Sequence, residues 1–188
     1  PSDEEVVAEL LRIKSTTTAT DANAPPTDGL RVLNITKTFG RGTRALTAVD
    51  NVTFGIPHDT VFALLGPNGA GKSTTISLIR GDISPSPGSG DILIENESVT
   101  RNLAAARSHL GVCPQFDAID LMTVQEHLEF YARVRGVPDV KHNVDAVIRA
   151  VGLESFRTRA AHALSGGNKR KLSLGIALMG NPAVVLLD

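Results

Sequence analysis

The sequence has 188 residues, of which 41% are hydrophobic and 21% are charged, and its formal net charge is -1. This length is sufficient for one domain with a hydrophobic core, and the balanced charge gives no basic surface of the kind that binds nucleic acid. The longest apolar runs have five residues, far short of the roughly 20 that a membrane-spanning helix needs. A single cysteine, Cys113, excludes an internal disulfide. We therefore expect no nucleic-acid partner and no spanning helix within these residues.

The first 29 residues are predicted to form a short helix followed by a flexible linker. Acidic residues and apolar side chains at helical spacing predict the helix over residues 1–14. Residues 15–29 are rich in Thr, Ala, Pro, Asp and Gly and lack apolar periodicity, which predicts the linker. The chain begins with Pro1 rather than methionine and stops directly after an apolar run, so we expect it to be part of a longer protein.

The next part of the chain has the patterns of strands around one helix. Alternating apolar residues predict half-buried strands, and a continuous apolar run predicts a strand that is buried on both faces. The predicted elements are half-buried strands over residues 30–36 and 46–56, a buried strand over 61–65, a helix over 74–80 and a further strand over 91–95.

From residue 100 the pattern becomes mostly helical and ends in a strand. Thr123 begins a helix with Glu126 as its capping-box partner. Val124, Leu128, Tyr131 and Val134 are predicted to share one face of this helix. The remaining predicted elements are helices over residues 102–108, 140–151 and 166–179, a short strand over 110–113 and a buried strand over 183–187. This order of strands and helices predicts an α/β fold.

A glycine-rich motif lies between the predicted buried strand and the helix that follows it. It matches the phosphate-loop pattern G-x-x-x-x-G-K-[ST], in which glycines let backbone N–H groups surround phosphate oxygens at a helix N-terminus. Lys72 is expected to contact the β- and γ-phosphates of a nucleotide, and the Ser73 hydroxyl to bind Mg²⁺. The β-carbon that Gly71 lacks is expected to leave room for phosphate. The predicted loop residues are Gly66, Pro67, Asn68, Gly69, Ala70, Gly71, Lys72, Ser73 and Thr74.

Two further segments extend the pattern of a phosphate-loop protein. The apolar strand at the end of the chain is followed by the carboxylate of Asp188, which is expected to hold Mg²⁺ through water opposite Ser73. The other segment places a serine N-cap and two glycines at the start of a helix, where free N–H groups attract an anion. This segment consists of Leu164, Ser165, Gly166, Gly167 and Asn168.

Together, these motifs resemble ATP-binding cassette (ABC) ATPases over residues 30–188. The resemblance implies an α/β phosphate-loop NTPase fold with an antiparallel β subdomain, a parallel core sheet and an α-helical subdomain, incomplete at the C-terminus. It implies ATP and Mg²⁺ as cofactors. It also identifies residues 164–168 as the signature sequence, which contacts the γ-phosphate of ATP bound to a second cassette on the same or another chain.

The resemblance assigns further roles to individual residues. Phe39 lies where these cassettes place an aromatic ring against adenine. Gln115 matches the Q-loop glutamine, which senses Mg²⁺ and the attacking water and couples to the membrane domain. The implied catalytic residues are Lys72, Gln115 and Asp188, and the implied Mg²⁺ ligands are Ser73, Gln115 and Asp188. The five histidines fill none of these roles and are expected at the surface or at helix caps.

Finer details are similar to subfamily A, the lipid-exporter branch of the family. Asn168 replaces the commoner glutamine at the fifth signature position, and residues 66–75, 111–117 and 164–173 look like that branch. The resemblance implies that ATP hydrolysis powers export of a substrate, expected to be a lipid, by an attached transmembrane domain. The cassette would then lie on the cytosolic face of a membrane as part of an integral membrane transporter.

Two alternatives remain open from the residues. One is a soluble ABC ATPase that acts on chromosomes or ribosomes, although chromosome types insert long coiled coils and only 93 positions separate Lys72 from Ser165. The other is a silent regulatory cassette, because the family's catalytic glutamate and switch histidine follow the position of Asp188. For the same reason we expect no hydrolysis by this chain alone. A GTPase is excluded, since Lys171 stands where the guanine-binding motif has aspartate.

Overall fold

The computed structural model describes residues 28–115 and 121–188. The helix predicted over residues 1–14 and most of the predicted linker lie outside the described residues. Asp28 and Gly29 were expected to end the linker, but they are buried and begin the first strand. The chain divides into two compact units, the first ending at Arg107 and the second beginning at Ser108.

The first unit is built on an antiparallel sheet of four strands in the order β2-β1-β3-β4. The long strand β1 pairs with β2 on one side and β3 on the other. Residues 28–32 of β1 are all buried, and its register with β2 shifts between Val32 and Ile35, where Asn34 adopts a φ of 50°. The predicted antiparallel strands are therefore confirmed. The strands are β1 (Asp28–Phe39), β2 (Leu46–Pro57), β3 (Asp91–Ile94) and β4 (Glu97–Ser98).

The prediction of a buried strand over residues 61–65 is wrong. These residues have no regular secondary structure, and Val61 is fully exposed while Leu65 is 87% exposed. A strand needs a hydrogen-bonded neighbour to bury its backbone polar groups, and no strand of the described residues pairs with this segment. Phe62 is partly covered by Phe54 of β2, with ring centroids 5.2 Å apart.

Two helices complete the first unit. The helix α1 (Lys72–Ile79) begins two residues before the predicted start and buries Thr75, Leu78 and Ile79. The short helix α2 (Leu103–Ser108) follows β4 and buries Ala106. Both helices confirm the predicted elements.

The second unit contains a parallel pair of strands, β5 (Leu110–Cys113) and β6 (Val184–Leu187). Their register pairs Leu110 with Val184 and Cys113 with Leu187, so the two strands end at the same level. The prediction that the last strand is buried is wrong, because β6 is only half-buried and Leu187 is 66% exposed. Among the described residues β6 has one hydrogen-bonded neighbour, so its other edge has no cover from a strand.

The rest of the second unit is a helical core. Val134 was predicted to lie on the buried face of α3, but it is 65% exposed, because it lies about 120° around the helix from Leu128. No helix among residues 28–115 and 121–188 is long and apolar enough to cross a membrane. The helices are α3 (Val124–Val134), α4 (Val140–Ala150) and α5 (Gly166–Leu178), and their packed core includes Val124, Leu128, Val144, Ile148, Leu153, Leu172 and Met179.

The N-terminus of α3 has the predicted capping box. The Glu126 N–H donates to Thr123 Oγ1 at 3.2 Å, and Thr123 N–H donates to Glu126 Oε2 at 2.8 Å. The hydrogen bond from the Thr123 backbone, with help from its hydroxyl, holds the pKa of Glu126 below its ordinary value. The expectation that every histidine is a surface or capping residue is wrong for His127. That residue is 1% exposed, with Nδ1 3.0 Å from Thr123 O.

Replacing Thr123 with alanine removes this cap, and we expect it to lower the free energy of unfolding of the second unit by about 1 kcal/mol. Urea denaturation measures the change, with the exposed Thr158→Ala as the control in the same unit. The folded-state pKa of Glu126 is lowered, so the ionised carboxylate stabilises the folded state. This stabilisation is fully present above the ordinary glutamate pKa, and it is lost as the pH falls through the lowered folded-state pKa. Glu126→Gln should remove this pH dependence. If Thr123→Ala and Thr158→Ala lowered the free energy of unfolding equally, the assignment of Thr123 as the helix cap would be wrong.

Candidate functional site

The phosphate-loop residues form an exposed loop that leads directly into α1. Residues 61–70 are exposed throughout. The Lys72 ammonium reaches back over the loop, and Nζ donates to Gly66 O at 2.6 Å and to Pro67 O at 2.9 Å. No carboxylate of the described residues pairs with this ammonium. Two neutral carbonyls do not cancel its charge, so Lys72 carries a net positive charge at the mouth of the loop.

The helix α1 begins with backbone N–H groups that no side chain caps. Gly71 is the N-cap residue and has a left-handed φ of 87°. The first N–H that bonds within this turn is that of Thr75, which donates to Gly71 O at 2.8 Å, and the Thr75 hydroxyl donates to the same oxygen at 3.0 Å. The N–H groups of Lys72, Ser73 and Thr74 therefore have no acceptor inside the helix. With the positive end of the helix dipole, they form a site for an anion.

Gly71 is required by close packing against β2 as well as by its backbone conformation. A β-carbon at this position would lie 2.2 Å from Ala48 O. We expected the missing β-carbon of Gly71 to leave room for phosphate. In the structure, the atom that such a β-carbon would meet is the backbone oxygen of Ala48. Gly69 differs, because its φ is 84° and a β-carbon there would meet no described atom within 4 Å. The loop is therefore anchored to the sheet at Gly71 and open to solvent at Gly69.

Phe39 ends β1 with its ring 42% exposed. Its strand partner is Leu46, which is also exposed. The Lys37 ammonium lies 5.2 Å from the ring centroid, in a cation–π contact with the ring. An exposed ring is not part of the core, so the side chain is available to stack on a flat ligand.

The second unit brings two of the predicted site residues to one edge. Parallel pairing of β5 with β6 ends at Cys113 and Leu187, and the Asp188 N–H donates to Cys113 O at 3.0 Å. Gln115 and Asp188 follow directly and are both exposed. Gln115 and Asp188 thus lie just beyond the carboxyl ends of two neighbouring parallel strands. Cys113, which precedes this edge, is buried and free of a disulfide.

The signature residues form the exposed N-terminus of α5. Ser165 is the N-cap, and its hydroxyl accepts the Asn168 N–H at 3.4 Å. Leu164 is buried and anchors the turn, whereas Ser165, Gly166 and Gly167 are exposed. A β-carbon at Gly166 or Gly167 would meet no described atom within 4 Å, and neither glycine has a positive φ. The fold of this unit therefore does not require glycine at these two positions.

Sequence reasoning missed Arg170, which lies two residues beyond the signature on α5. Its Nη1 donates to Pro114 O, and its Nη2 donates to the main-chain oxygen of Asp188. A basic residue five positions after the N-cap is an ordinary surface feature of a helix, so the sequence carries no signal for this contact. The structure alone links the signature helix to the residues around Gln115 and Asp188.

The donor set around these motifs fits a hard divalent cation. Ser73 supplies a hydroxyl, Gln115 an amide oxygen and Asp188 a carboxylate, and Mg²⁺ prefers such oxygen ligands. The Ser73 hydroxyl and the Asp188 carboxylate have no hydrogen-bond or ion-pair partner among the described residues, so both are available for coordination. Ser73, with Phe39 and the phosphate loop, belongs to the first unit. Gln115, Asp188 and the signature belong to the second.

Comparison with known proteins identifies related sequences. Residues 49–188 match the family model described as ABC transporter. The human protein named glucosylceramide transporter ABCA12 is 45% identical over 192 residues, which cover 99% of this chain and 7% of that protein. The human phospholipid-transporting ATPase ABCA7 is 42% identical over 189 residues, which cover 99% of this chain and 8% of that protein. The chain thus spans less than a tenth of these two relatives.

Solved structures share the fold. The protein cbiO1 of Clostridium perfringens, described as part of the ABC transporter complex cbiONQ, has a TM-score of 0.75 and 25% identity. That similarity covers 86% of this chain and 65% of the solved one. A dimeric ATP-binding cassette, MJ0796 with ADP and Pi bound, has a TM-score of 0.71 and 24% identity over 85% of this chain and 73% of its own. The expected cassette fold is confirmed.

Alanine substitutions at Gly71 and Gly69 separate close packing from backbone strain. Both positions have a positive φ, so each alanine should lower the free energy of unfolding by roughly 1–2 kcal/mol through strain. The additional clash with Ala48 O at Gly71 should add about 1–3 kcal/mol. Thermal and urea unfolding measure both variants. If Gly69→Ala were as destabilising as Gly71→Ala, the packing of the loop on β2 would not be the cause.

Proposed function

The chain belongs to the ABC transporter family as an ATP-binding cassette, and we propose that its ATP hydrolysis powers export of a lipid by an attached transmembrane domain. The cassette is related to subfamily A transporters, two of which carry names that specify glucosylceramide and phospholipid. These names support a lipid as the transported molecule. The chain spans 7% to 8% of those proteins, so the lipid substrate and the transmembrane partner are inferred from these relatives. The cassette is proposed to lie on the cytosolic face of the membrane.

The observation that carries the proposal is the uncapped N-terminus of α1 beneath the Lys72 ammonium. The triphosphate of ATP carries several negative charges, and free N–H groups with a helix dipole and one cation are the chemistry that binds it. Phosphate oxygens would take the places that Gly66 O and Pro67 O hold beside Nζ. Phe39 would stack its exposed ring on the adenine. Residues 66–74 are the proposed nucleotide-binding loop.

Mg²⁺ is the proposed second cofactor, held by Ser73 with Gln115 and Asp188. When bound, the ion would neutralise charge on the β- and γ-phosphates during phosphoryl transfer. Gln115 and Asp188 follow the neighbouring ends of β5 and β6, which supports their acting on one ion. In the proposed mechanism, Lys72 stabilises the phosphate charge, while Gln115 orients the attacking water.

The exposed signature supports pairing with a second cassette. Glycine lacks a β-carbon, and no atom of the described chain needs the space that Gly166 and Gly167 leave. We infer that this space admits the γ-phosphate of ATP on a partner cassette. The Ser165 hydroxyl and the outward N–H groups of the first turn would then donate to it.

An apolar groove beside α3 supports a transmembrane partner. Leu121 is 81% exposed and Phe130 is 49% exposed, and they line the groove with Met122, while Glu126, Glu129 and Arg133 edge it. Exposed apolar side chains with a charged border are typical of protein interaction sites. This groove favours a membrane-attached cassette over one that acts alone, and we propose that it receives a cytosolic segment of the transmembrane domain.

The test of this function is ATP binding and lipid transport by the full-length protein in liposomes. Lys72→Ala should weaken ATP binding at least about tenfold and abolish transport, because it removes the cation from the phosphates. Lys141→Ala, which removes an exposed lysine from α4, is the control and should match the parent. If the Lys72→Ala protein bound ATP as tightly as the parent, the proposed nucleotide-binding site would be wrong. ATP binding without hydrolysis by the parent would instead identify a regulatory cassette.

A second experiment separates the signature from the phosphate loop. Gly167→Asp should leave ATP binding by one cassette intact, since the loop is unchanged and the position is open. ATP-dependent pairing should be lost and turnover should fall on the order of 100-fold, because a carboxylate faces the γ-phosphate. Sedimentation and ATPase assays measure these effects, with the exposed Ser155→Asp as a charge-matched control. Loss of ATP binding by the single cassette would show that the signature is a local folding element.

A further inference from the structure

The Lys37 ammonium contacts both the Phe39 ring and the loop that follows α1. Its Nζ lies 5.2 Å from the ring centroid, within the range of a cation–π contact, and it donates to Ser84 O at 2.6 Å. No carboxylate of residues 28–115 and 121–188 pairs with this ammonium. Its positive charge therefore acts on the ring and on one carbonyl.

The loop that carries Ser84 is itself held along β1. Ser86 Oγ accepts the Thr38 N–H at 2.9 Å, and Ser89 Oγ accepts the Thr36 N–H at 2.6 Å. The Ser86 N–H also donates to Thr36 O at 2.9 Å. These bonds replace a neighbouring strand where β1 is no longer paired with β3. The carbonyl of Ser84 is thus a fixed acceptor for the Lys37 ammonium.

The phosphate loop lies on the same face of the sheet as the Phe39 ring. Lys37 is paired with Val49 of β2, and the side chains of directly paired residues lie on one face. The contact of Phe39 with the Lys37 ammonium places the ring on that face too. A β-carbon at Gly71 would lie 3.4 Å from Val49 Cγ2, which places the start of α1 there as well. The ring and the anion-binding end of α1 therefore share one face, as a nucleotide that contacts both requires.

We propose that Lys37 is a positioning residue for the base of the bound nucleotide and acts through the Phe39 ring, an inference that rests on the proposed function. The ammonium covers one face of the ring and is fixed by Ser84 O, so the ring is restrained and its opposite face is left for the base. A free ring would lose rotamer freedom when a base stacks on it. With Lys37 in place, part of that entropy is lost before ATP binds. Lys37 thus raises the affinity for the base and leaves the affinity for the phosphates unchanged.

The experiment titrates the full-length protein with ATP and with inorganic tripolyphosphate, which lacks the base. Binding at this cassette is the part that Lys72→Ala removes. Lys37→Met should lower ATP affinity about two- to fivefold, the equivalent of one exposed cation–π contact, and should change tripolyphosphate affinity less than about 1.5-fold. Lys37→Gln, which keeps an N–H donor for Ser84 O without the charge, should show the same loss. Lys37→Arg keeps the cation and should match the parent, as should the exposed control Lys141→Met.

A double-mutant cycle with Phe39→Leu tests whether Lys37 acts through the ring. Phe39→Leu should lower ATP affinity at least about fivefold, because the base loses its stacking partner. Adding Lys37→Met to Phe39→Leu should cause no further loss, since the cation no longer has a ring to hold. A residue that only supports the fold would give the same Lys37→Met loss in both backgrounds.

Three results would overturn the inference. They are equal losses for ATP and tripolyphosphate in Lys37→Met, an undiminished Lys37→Met loss in the Phe39→Leu background, and an ATP affinity in Lys37→Met that equals or exceeds that of the parent. Thermal unfolding accompanies each titration, and if Lys37→Met does not fold, Lys37→Gln decides by the same comparisons. Failure of the proposed function is recognised separately, because Lys72→Ala would then remove no ATP binding.

Discussion

The backbone N–H groups at two helix starts are the feature on which the proposed chemistry depends. An α-helix leaves its first N–H groups without internal acceptors, and a charged side chain is not needed to make that end positive. At α1 the N-cap is Gly71, which supplies no side-chain oxygen, so no side chain caps the N–H groups of the first turn. At α5 the Ser165 hydroxyl satisfies Asn168 and leaves the two glycine positions open. Both helices therefore present the same anion-binding end.

Close approaches at glycine hold these helices on their sheets. Gly71 brings α1 against Ala48 of β2, and Gly111 of β5 brings the strand against Ala177 of α5. In each case a β-carbon would lie 2.2 Å from a backbone oxygen. Because the clashing atom belongs to the backbone, moving a side chain cannot relieve this clash. The helix axes are thus fixed by backbone contact, which is stiffer than contact between side chains.

Local patterns in the sequence predicted most of the elements and the chemistry of the loop. The capping box of Thr123 with Glu126 involves residues three positions apart, and its hydrogen bonds form within one turn whatever surrounds them. The helix that starts after Gly71 follows from the glycine-rich loop in the same way. Burial was predicted less well. Residues 61–65 have the composition of a buried strand, but burial requires a neighbouring strand, and none of the described strands is paired with them.

The sequence by itself determined the residue types of the site, namely a lysine and glycines before α1, a carboxylate after β6 and a capped glycine pair before α5. Short-range hydrogen bonds and backbone conformation decide these features, and they are readable along the chain. Only the tertiary structure decided that Gln115 and Asp188 share an edge, that Gly71 packs on Ala48 O and that Arg170 reaches both strand ends. These contacts join residues 18 to 73 positions apart. Their existence depends on strand pairing and helix packing, which no local pattern specifies.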